Sequence, residues 1–226
     1  MDCPYYEQLM YAGDTRHESR VTLLATRDDR LPRKAVALFD SSRVNSGLTQ
    51  SRFPSRVRQM IPPFALWWIG MVHDLALWRG DSAFIKTLMP GVRAVLDFFR
   101  STLNGDGLVE SPNGWNFVDW VPGWKDGSPV GAQDGVNGII NWQFVLALSN
   151  AADLEDVLDE PLMAQRNRQL ARDLAGRITS RFWDDQRSLL ADDPAHRHFS
   201  EHSQSLAIMS GFIEPEAVVV LVAGTE

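Results

Sequence analysis

Apolar residues recur at three- and four-residue steps through most of this chain, and nothing else in it limits the fold as strongly, because that period puts them on one helical face. From Pro62 to Arg79 the step is kept by Phe64, Trp67, Trp68, Met71, Val72, Leu75 and Trp78, and Pro62 and Pro63 suit a helix start. Asp81 can cap a second helix, in which Phe84, Leu88, Val92, Val95 and Phe99 form one stripe. Pro90 predicts a kink there, and Asn104-Gly105-Asp106-Gly107 an end. Together they predict an αα-hairpin. A similar unit is expected from about Asp134 to Phe182, on the stripes Val136, Ile140, Phe144, Leu148 and Leu170, Leu174, Ile178, Phe182. Thr15 to Arg43 reads as a weaker first pair broken at Leu31-Pro32, and Ser200 or a neighbour as the cap of a last helix through Ser210, stopped by Gly211. No alternating run is long enough for a sheet, and the Ala217 to Ala223 run is too short to define one. The fold expected is mainly α, a toroid of helical hairpins with its connecting loops gathered at one mouth.

Size and charge narrow the function. With 226 residues, 44% hydrophobic and 23% charged, the chain can bury a sizeable core in one domain or two. A formal charge of -7, with no segment read as a cluster of Lys and Arg, argues against a nucleic-acid partner. Cys3 is the sole cysteine, which excludes a disulfide framework and a thiolate cluster and leaves it a small apolar residue. No stretch approaches the roughly 20 apolar residues of a membrane span, and the start lacks the pattern of a signal sequence. His196 and His198 have a spacing that chelates in an extended segment, but no further ligand recurs beside His202, and His17 and His73 lie far off. Neither a metal nor a cofactor is expected.

The loops carry the chemistry. Between Gly105 and Gly138 lie eleven Gly or Pro residues, three Trp and four Asp without convincing periodicity, and long loops of that kind are often functional. Within it, Trp115, Asp119 and Trp120 combine indole faces that stack on the C–H patches of a pyranose with a carboxylate that accepts from its hydroxyls. The alternative is that these Trp plug one end of the toroid. Trp67 and Trp68 are neighbours about 100° apart around a helix axis, so they cannot face the same way. One of the two is expected to point inward and the other elsewhere; Trp78, Trp142 and Trp183 are read as core.

At the start of the chain Asp2, Glu7 and Asp14 are spaced five and seven apart around Pro4 and Gly13, both read as turn-forming. Carboxylates close together raise one another's pKa, and a protonated Glu beside ionised Asp is the donor that a glycosidic oxygen needs. The same spacing also fits a solvated acidic segment.

Asp2-Cys3-Pro4-Tyr5-Tyr6-Glu7-Gln8-Leu9-Met10-Tyr11-Ala12-Gly13-Asp14 resembles the signature opening the catalytic barrel of family 78 glycoside hydrolases, the α-L-rhamnosidases, Asp-Cys-Pro-x-Arg-x-Glu-Arg-x-x-Trp-x-Gly-Asp. The segment is one residue shorter, with Tyr6 in place of the Arg and Tyr11 in place of the Trp, so phenols replace a guanidinium clamp and a broad stacking face. The resemblance implies an (α/α)6 barrel of which this chain is the N-terminal part, since six pairs are needed and about three and a half are counted. It implies Glu7 as general acid and Asp2 and Asp14 as carboxylates holding rhamnose hydroxyls. It also implies Trp67 on the cavity face, which leaves Trp68 for packing, and the Asp119-Trp120 pair as pocket wall, with Tyr6 and Tyr11 as further substrate contacts. His198-Phe199-Ser200-Glu201-His202-Ser203-Gln204 is similar to a family segment opening a late barrel helix, which brings Glu201 or His202 within reach of the pocket. Inversion is implied, with a base Glu beyond residue 226; Phe212 to Glu226 departs from the family pattern, and the chain is expected to hydrolyse nothing alone and to self-associate through unpaired apolar faces. Asp14, Asp119, Asp134 and Glu201 are the candidates for a substitute base. The implied partners are a rhamnose-containing glycoside, further barrel helices and β-sandwich domains of a parent enzyme. Rival readings are another (α/α)6 glycosidase, such as a glucosidase or trehalase, and a non-catalytic carbohydrate-binding or interaction fragment.

Overall fold

The structure, a computed structural model, describes residues 5–6, 8–133 and 135–213. Asp2, Cys3, Glu7, Asp134 and the 217–223 run lie outside the described residues. The described elements are α1 (Ala12–Ala25), α2 (Arg30–Ser41), α3 (Pro62–Arg79), α4 (Ser82–Ser101), α5 (Gly138–Val157), α6 (Pro161–Phe182), β1 (Trp183–Asp184), β2 (Leu189–Leu190) and α7 (Glu201–Ser210). They form two compact units, residues up to 98 with 150–164, and 99–149 with the residues from 165 on. The mainly α expectation holds, and three consecutive helix pairs lie where the stripes place them.

In the first unit α1 and α3 pack through small residues. Gly13 was expected in a turn, but it lies in the first turn of α1, where the Phe64 ring stands 2.7 Å from the place a Cβ would occupy. Gly70 on α3 is crossed by the Arg16 guanidinium, which a Cβ there would strike. The crossing lets Arg16 Nε reach the buried Asp74 carboxylate at 2.9 Å. Pro62 and Pro63 open α3 as expected, and Gly80, at φ +67°, closes it. Trp68 is fully buried and donates from Nε1 to Val36 O at 3.1 Å, the packing role read for it. Trp78 is 44% exposed and does not belong to the core, because it falls on the side of α3 away from that packing.

Helix α2 begins before the expected break. The interruption falls at residues 26–29, and Pro32 is taken into the first turn of α2, where its missing N–H costs nothing. Asp28 Oδ1 accepts from Arg30 N at 3.1 Å at that start, and side-chain bonds from Arg30 hold the Asp28 carboxyl down at about 2. Asp81 Oδ1 caps α4 by accepting from Phe84 N at 3.0 Å, and α4 runs on through Pro90. Arg93 reaches the fully buried Glu155 carboxylate with two bonds of 2.9 and 2.6 Å.

The second unit is built on Phe99, Trp142, Phe144, Leu174, Ile178 and Phe182, all fully buried, with the Phe99 and Phe144 rings stacked 5.4 Å apart. Asn141 on α5 presents its amide to residue 109 as a backbone would, accepting from Val109 N at 2.8 Å and donating to Val109 O at 3.1 Å. That pair fastens the start of the long loop to α5. A two-residue hairpin, β1 to β2, follows α6 and was not anticipated, being too short to show alternation. Trp183 therefore sits on a strand, half-buried, and not in a helical stripe. Ser200 caps α7 with its hydroxyl, and Gly211, at φ +72°, stops it. No described helix is long and apolar enough to cross a membrane.

Candidate functional site

The residues singled out from sequence fall into two groups, one in each unit. In the first, Tyr11 precedes α1, and the segment around it is laid against residues 51–53: Ala12 N donates to Ser51 O at 2.9 Å, and Phe53 N to Met10 O at 3.2 Å. Arg52 follows from that pairing. Its guanidinium lies 5.7 Å over the Tyr11 ring and donates from Nη1 to Tyr11 Oη at 2.9 Å. Sequence reading missed Arg52, since only the backbone pairing brings it to Tyr11. Asp14 is exposed in the first turn of α1, where the helix dipole favours a carboxylate. Tyr6 is 83% exposed and meets the Tyr5 ring edge-on at 4.7 Å.

Trp67 is half-buried, with the Arg16 guanidinium 4.6 Å over its ring and the His17 ring 6.2 Å away.

The second group stands on the loop between α4 and α5. Trp115, Phe117 and Trp120 are in mutual tilted contact, with centroids 5.0 to 6.3 Å apart. Gly127, at φ +68°, lies where a Cβ would enter the Phe117 ring, so this close approach requires glycine. Trp115 Nε1 donates to Asp126 O at 2.8 Å, and the buried Asn116 donates to Pro112 O at 2.8 Å. The Trp120 ring remains 71% exposed.

Asp119, beside that cluster, accepts from Trp120 N at Oδ1, 2.7 Å away, and its Oδ2 faces His202 Nε2 at 3.2 Å. Two residues chosen separately from sequence, 83 positions apart, thus meet. Trp124 packs 5.1 Å from the His202 ring and was not singled out beforehand. Glu201 is exposed in the first turn of α7, which Ser200 caps.

Beneath the start of α7 is a buried carboxylate that the sequence did not mark. Asp192 accepts at Oδ1 from Ser200 Oγ at 2.8 Å and Ser203 Oγ at 2.5 Å, while its backbone oxygen accepts from Gly138 N and Asn137 Nδ2. Burial pushes the Asp192 carboxyl above the ordinary range, against the pull of the two hydroxyls and of His202. The neighbouring Asp193 goes the other way: burial raises it, but bonds from the His198 N–H and ring and from the Arg197 N–H outweigh burial and hold it low. One tether thus fixes the start of α5 and of α7, and with α7 the position of His202.

The three late histidines face different carboxylates: His196 Asp184, His198 Asp193 and His202 Asp119. Among the described residues no three His, Cys, Asp or Glu side chains are grouped to hold a metal ion.

Comparison with known proteins matches residues 1–223 to the family model of the bacterial alpha-L-rhamnosidase six-hairpin glycosidase domain. No curated protein matches the sequence. Among solved structures, the GH78 family rhamnosidase of Bacillus sp. GL1 is similar over 99% of this chain and 23% of its own, at 24% identity and a TM-score of 0.88. A rhamnosidase from Klebsiella oxytoca with rhamnose bound is similar over 99% of this chain and 42% of its own, at 18% identity and a TM-score of 0.84. The Streptomyces avermitilis alpha-L-rhamnosidase complexed with L-rhamnose is similar over 96% of this chain and 19% of its own, at 13% identity and a TM-score of 0.73. The chain spans less than half the length of each of these proteins.

Proposed function

Because the chain belongs to the bacterial α-L-rhamnosidase six-hairpin glycosidase family, we propose that it is the N-terminal part of an (α/α)6 catalytic domain that removes terminal α-L-rhamnose from rhamnosides with inversion. The fold is that of the rhamnosidase structures, and three helix pairs with a seventh helix make an incomplete barrel among the described residues. The observation that carries the reading is the family match beginning at residue 1, which takes in Asp2, Glu7 and Asp14. The two rhamnose-bound relatives support the choice of sugar.

In this reading protonated Glu7 gives its proton to the glycosidic oxygen as the C1–O bond breaks. A carboxylate about 6.5 to 9.5 Å away takes a proton from the water that attacks C1 on the opposite face. That base belongs to hairpins beyond the three pairs, so the 226-residue chain alone hydrolyses nothing measurable. Asp2 and Asp14 accept from the sugar hydroxyls, and Tyr6 and Tyr11 stand where the family has Arg and Trp. Arg52, held on Tyr11, returns a guanidinium to that neighbourhood. In the first unit Trp67 offers an apolar face to a sugar; in the second the indoles of Trp115 and Trp120 do so, and Asp119, oriented by His202, accepts from a hydroxyl.

The test is hydrolysis by a version of the chain continued to six hairpins, offered p-nitrophenyl α-L-rhamnoside and p-nitrophenyl α-D-glucoside. The rhamnoside should be turned over at least about a hundredfold faster, since a site built to bond specific hydroxyls rejects their rearrangement, and proton NMR should show β-L-rhamnose as the first product. Preference for the glucoside would move the chain to another (α/α)6 glycosidase, and release of the α-anomer would refute inversion.

A further inference from the structure

Helix α6 breaks the acidic character of the molecule. The chain carries a formal charge of -7, yet α6 holds Arg166, Arg168, Arg172, Arg177 and Arg181 against a single acid, Asp173. This is the basic cluster that the sequence reading did not count. Three of the five line one open depression of about 570 Å³ in the second unit. Arg172, Gly176 and Ser180 form one row along the helix, and Arg177 and Arg181 continue the adjacent row. The small Gly176 and Ser180 make the depression, and the turn at residues 106–108 closes its side, with Leu108 as an apolar floor.

The three guanidiniums are not spent on carboxylates. Arg172 Nη1 donates to the neutral Gln169 Oε1 at 3.0 Å, and Arg177 Nη1 to the backbone oxygen of Asp106 at 2.7 Å. No described carboxylate lies within ion-pair distance of Arg172, Arg177 or Arg181. Arg177 is also fixed in place, because Gly107, at φ +72°, leaves room for its guanidinium 3.0 Å from where a Cβ would be. The groove thus combines a guanidinium held on the backbone of residue 106, one bonded to Gln169 and that of Arg181, spread over about 13 Å of helix at 1.5 Å per residue.

We propose that this groove is an accessory binding site for a carboxylated oligosaccharide, an oligouronide, separate from the rhamnose pocket. That the occupant is a sugar rests on the glycosidase reading; that it is anionic rests on the three guanidiniums alone. A guanidinium fork matches a carboxylate with two parallel bonds. Charges strung along the helix suit an extended chain bearing spaced carboxylates better than one compact phosphate. Asp106 and Asp173 at the groove accept from sugar hydroxyls and repel a densely charged polyphosphate, and no aromatic ring lines the groove to stack a nucleobase.

The experiment is calorimetric titration of the 226-residue chain with tetragalacturonate at low ionic strength, beside maltotetraose as a neutral sugar of equal length and tripolyphosphate as a compact anion. Tetragalacturonate should bind, with affinity falling at least tenfold in the triple variant Arg172→Gln/Arg177→Gln/Arg181→Gln and unchanged in Arg166→Gln, which removes one charge from α6 outside the groove, as each single groove variant does within it. If Arg177→Gln loosens the 104–107 turn, seen as a lowered melting temperature, Arg172→Gln and Arg181→Gln carry the test, each weakening binding at least threefold. The proposal is overturned by no binding, by equal loss in Arg166→Gln, by binding of tripolyphosphate as tight as that of tetragalacturonate, or by an affinity indifferent to the groove arginines. Rhamnoside hydrolysis is read separately, in the chain continued to six hairpins: turnover there without tetragalacturonate binding refutes the groove alone, and binding without turnover there refutes the rhamnosidase reading alone.

Discussion

Asp192 and Asp193 are adjacent, buried and opposed. The Asp192 carboxyl is pushed up by burial, so the folded chain holds that proton more tightly than the unfolded chain does. Stability contributed by this group is present below the ordinary aspartate value and is lost as pH rises through the raised one. Asp193, held low by the bonds from His198 and Arg197, contributes stability above the ordinary value that is lost as pH falls through its lowered one. Asp192→Asn keeps an oxygen for the Ser200 and Ser203 hydroxyls and removes the titration. Urea unfolding across about pH 4 to 7 should therefore lose the decline in stability on the alkaline side that Asp192 imposes, while the acid-side loss owed to Asp193 stays. An unchanged pH profile in Asp192→Asn would refute this reading. Neither residue was legible in the sequence, because the turn that buries an Asp-Asp pair has no periodicity to announce it.

Helices and their ends were legible where the signal is local. Pro62-Pro63, Asp81, Ser200 and Gly211 act at the expected positions, since each satisfies or omits a backbone group within one turn of itself. The break before α2 was misplaced, because Pro32 is as acceptable in a first helical turn as in a loop. Contacts between helices were not legible. Nothing in the spacing of Gly13 and Gly70 tells that one receives the Phe64 ring and the other the Arg16 guanidinium. Gly70→Ala should drive Arg16 off its path and leave the buried Asp74 carboxylate without its ion pair. A loss of about 3 to 5 kcal/mol in urea unfolding is expected, as for a buried pair broken on one side. A loss under about 1 kcal/mol, the ordinary cost of a surface change, would contradict the proposed crossing of α1 and α3.

Over the whole molecule the family model takes in residues 1–223, and the solved relatives run on well beyond the region they share with it. The hairpin repeat made the helix pairs readable from stripes alone, whereas the meeting of Asp119 with His202 needed the fold, since 83 residues separate them. The motif at the start of the chain carries the chemistry of the account through Glu7. The most direct test is the rate of p-nitrophenyl α-L-rhamnoside hydrolysis by the chain continued to six hairpins, with and without Glu7→Gln. Measurable turnover is expected that falls by about 10² to 10⁴ with Glu7→Gln, the range for loss of a positioned general acid. Full turnover in a folded Glu7→Gln protein would contradict it.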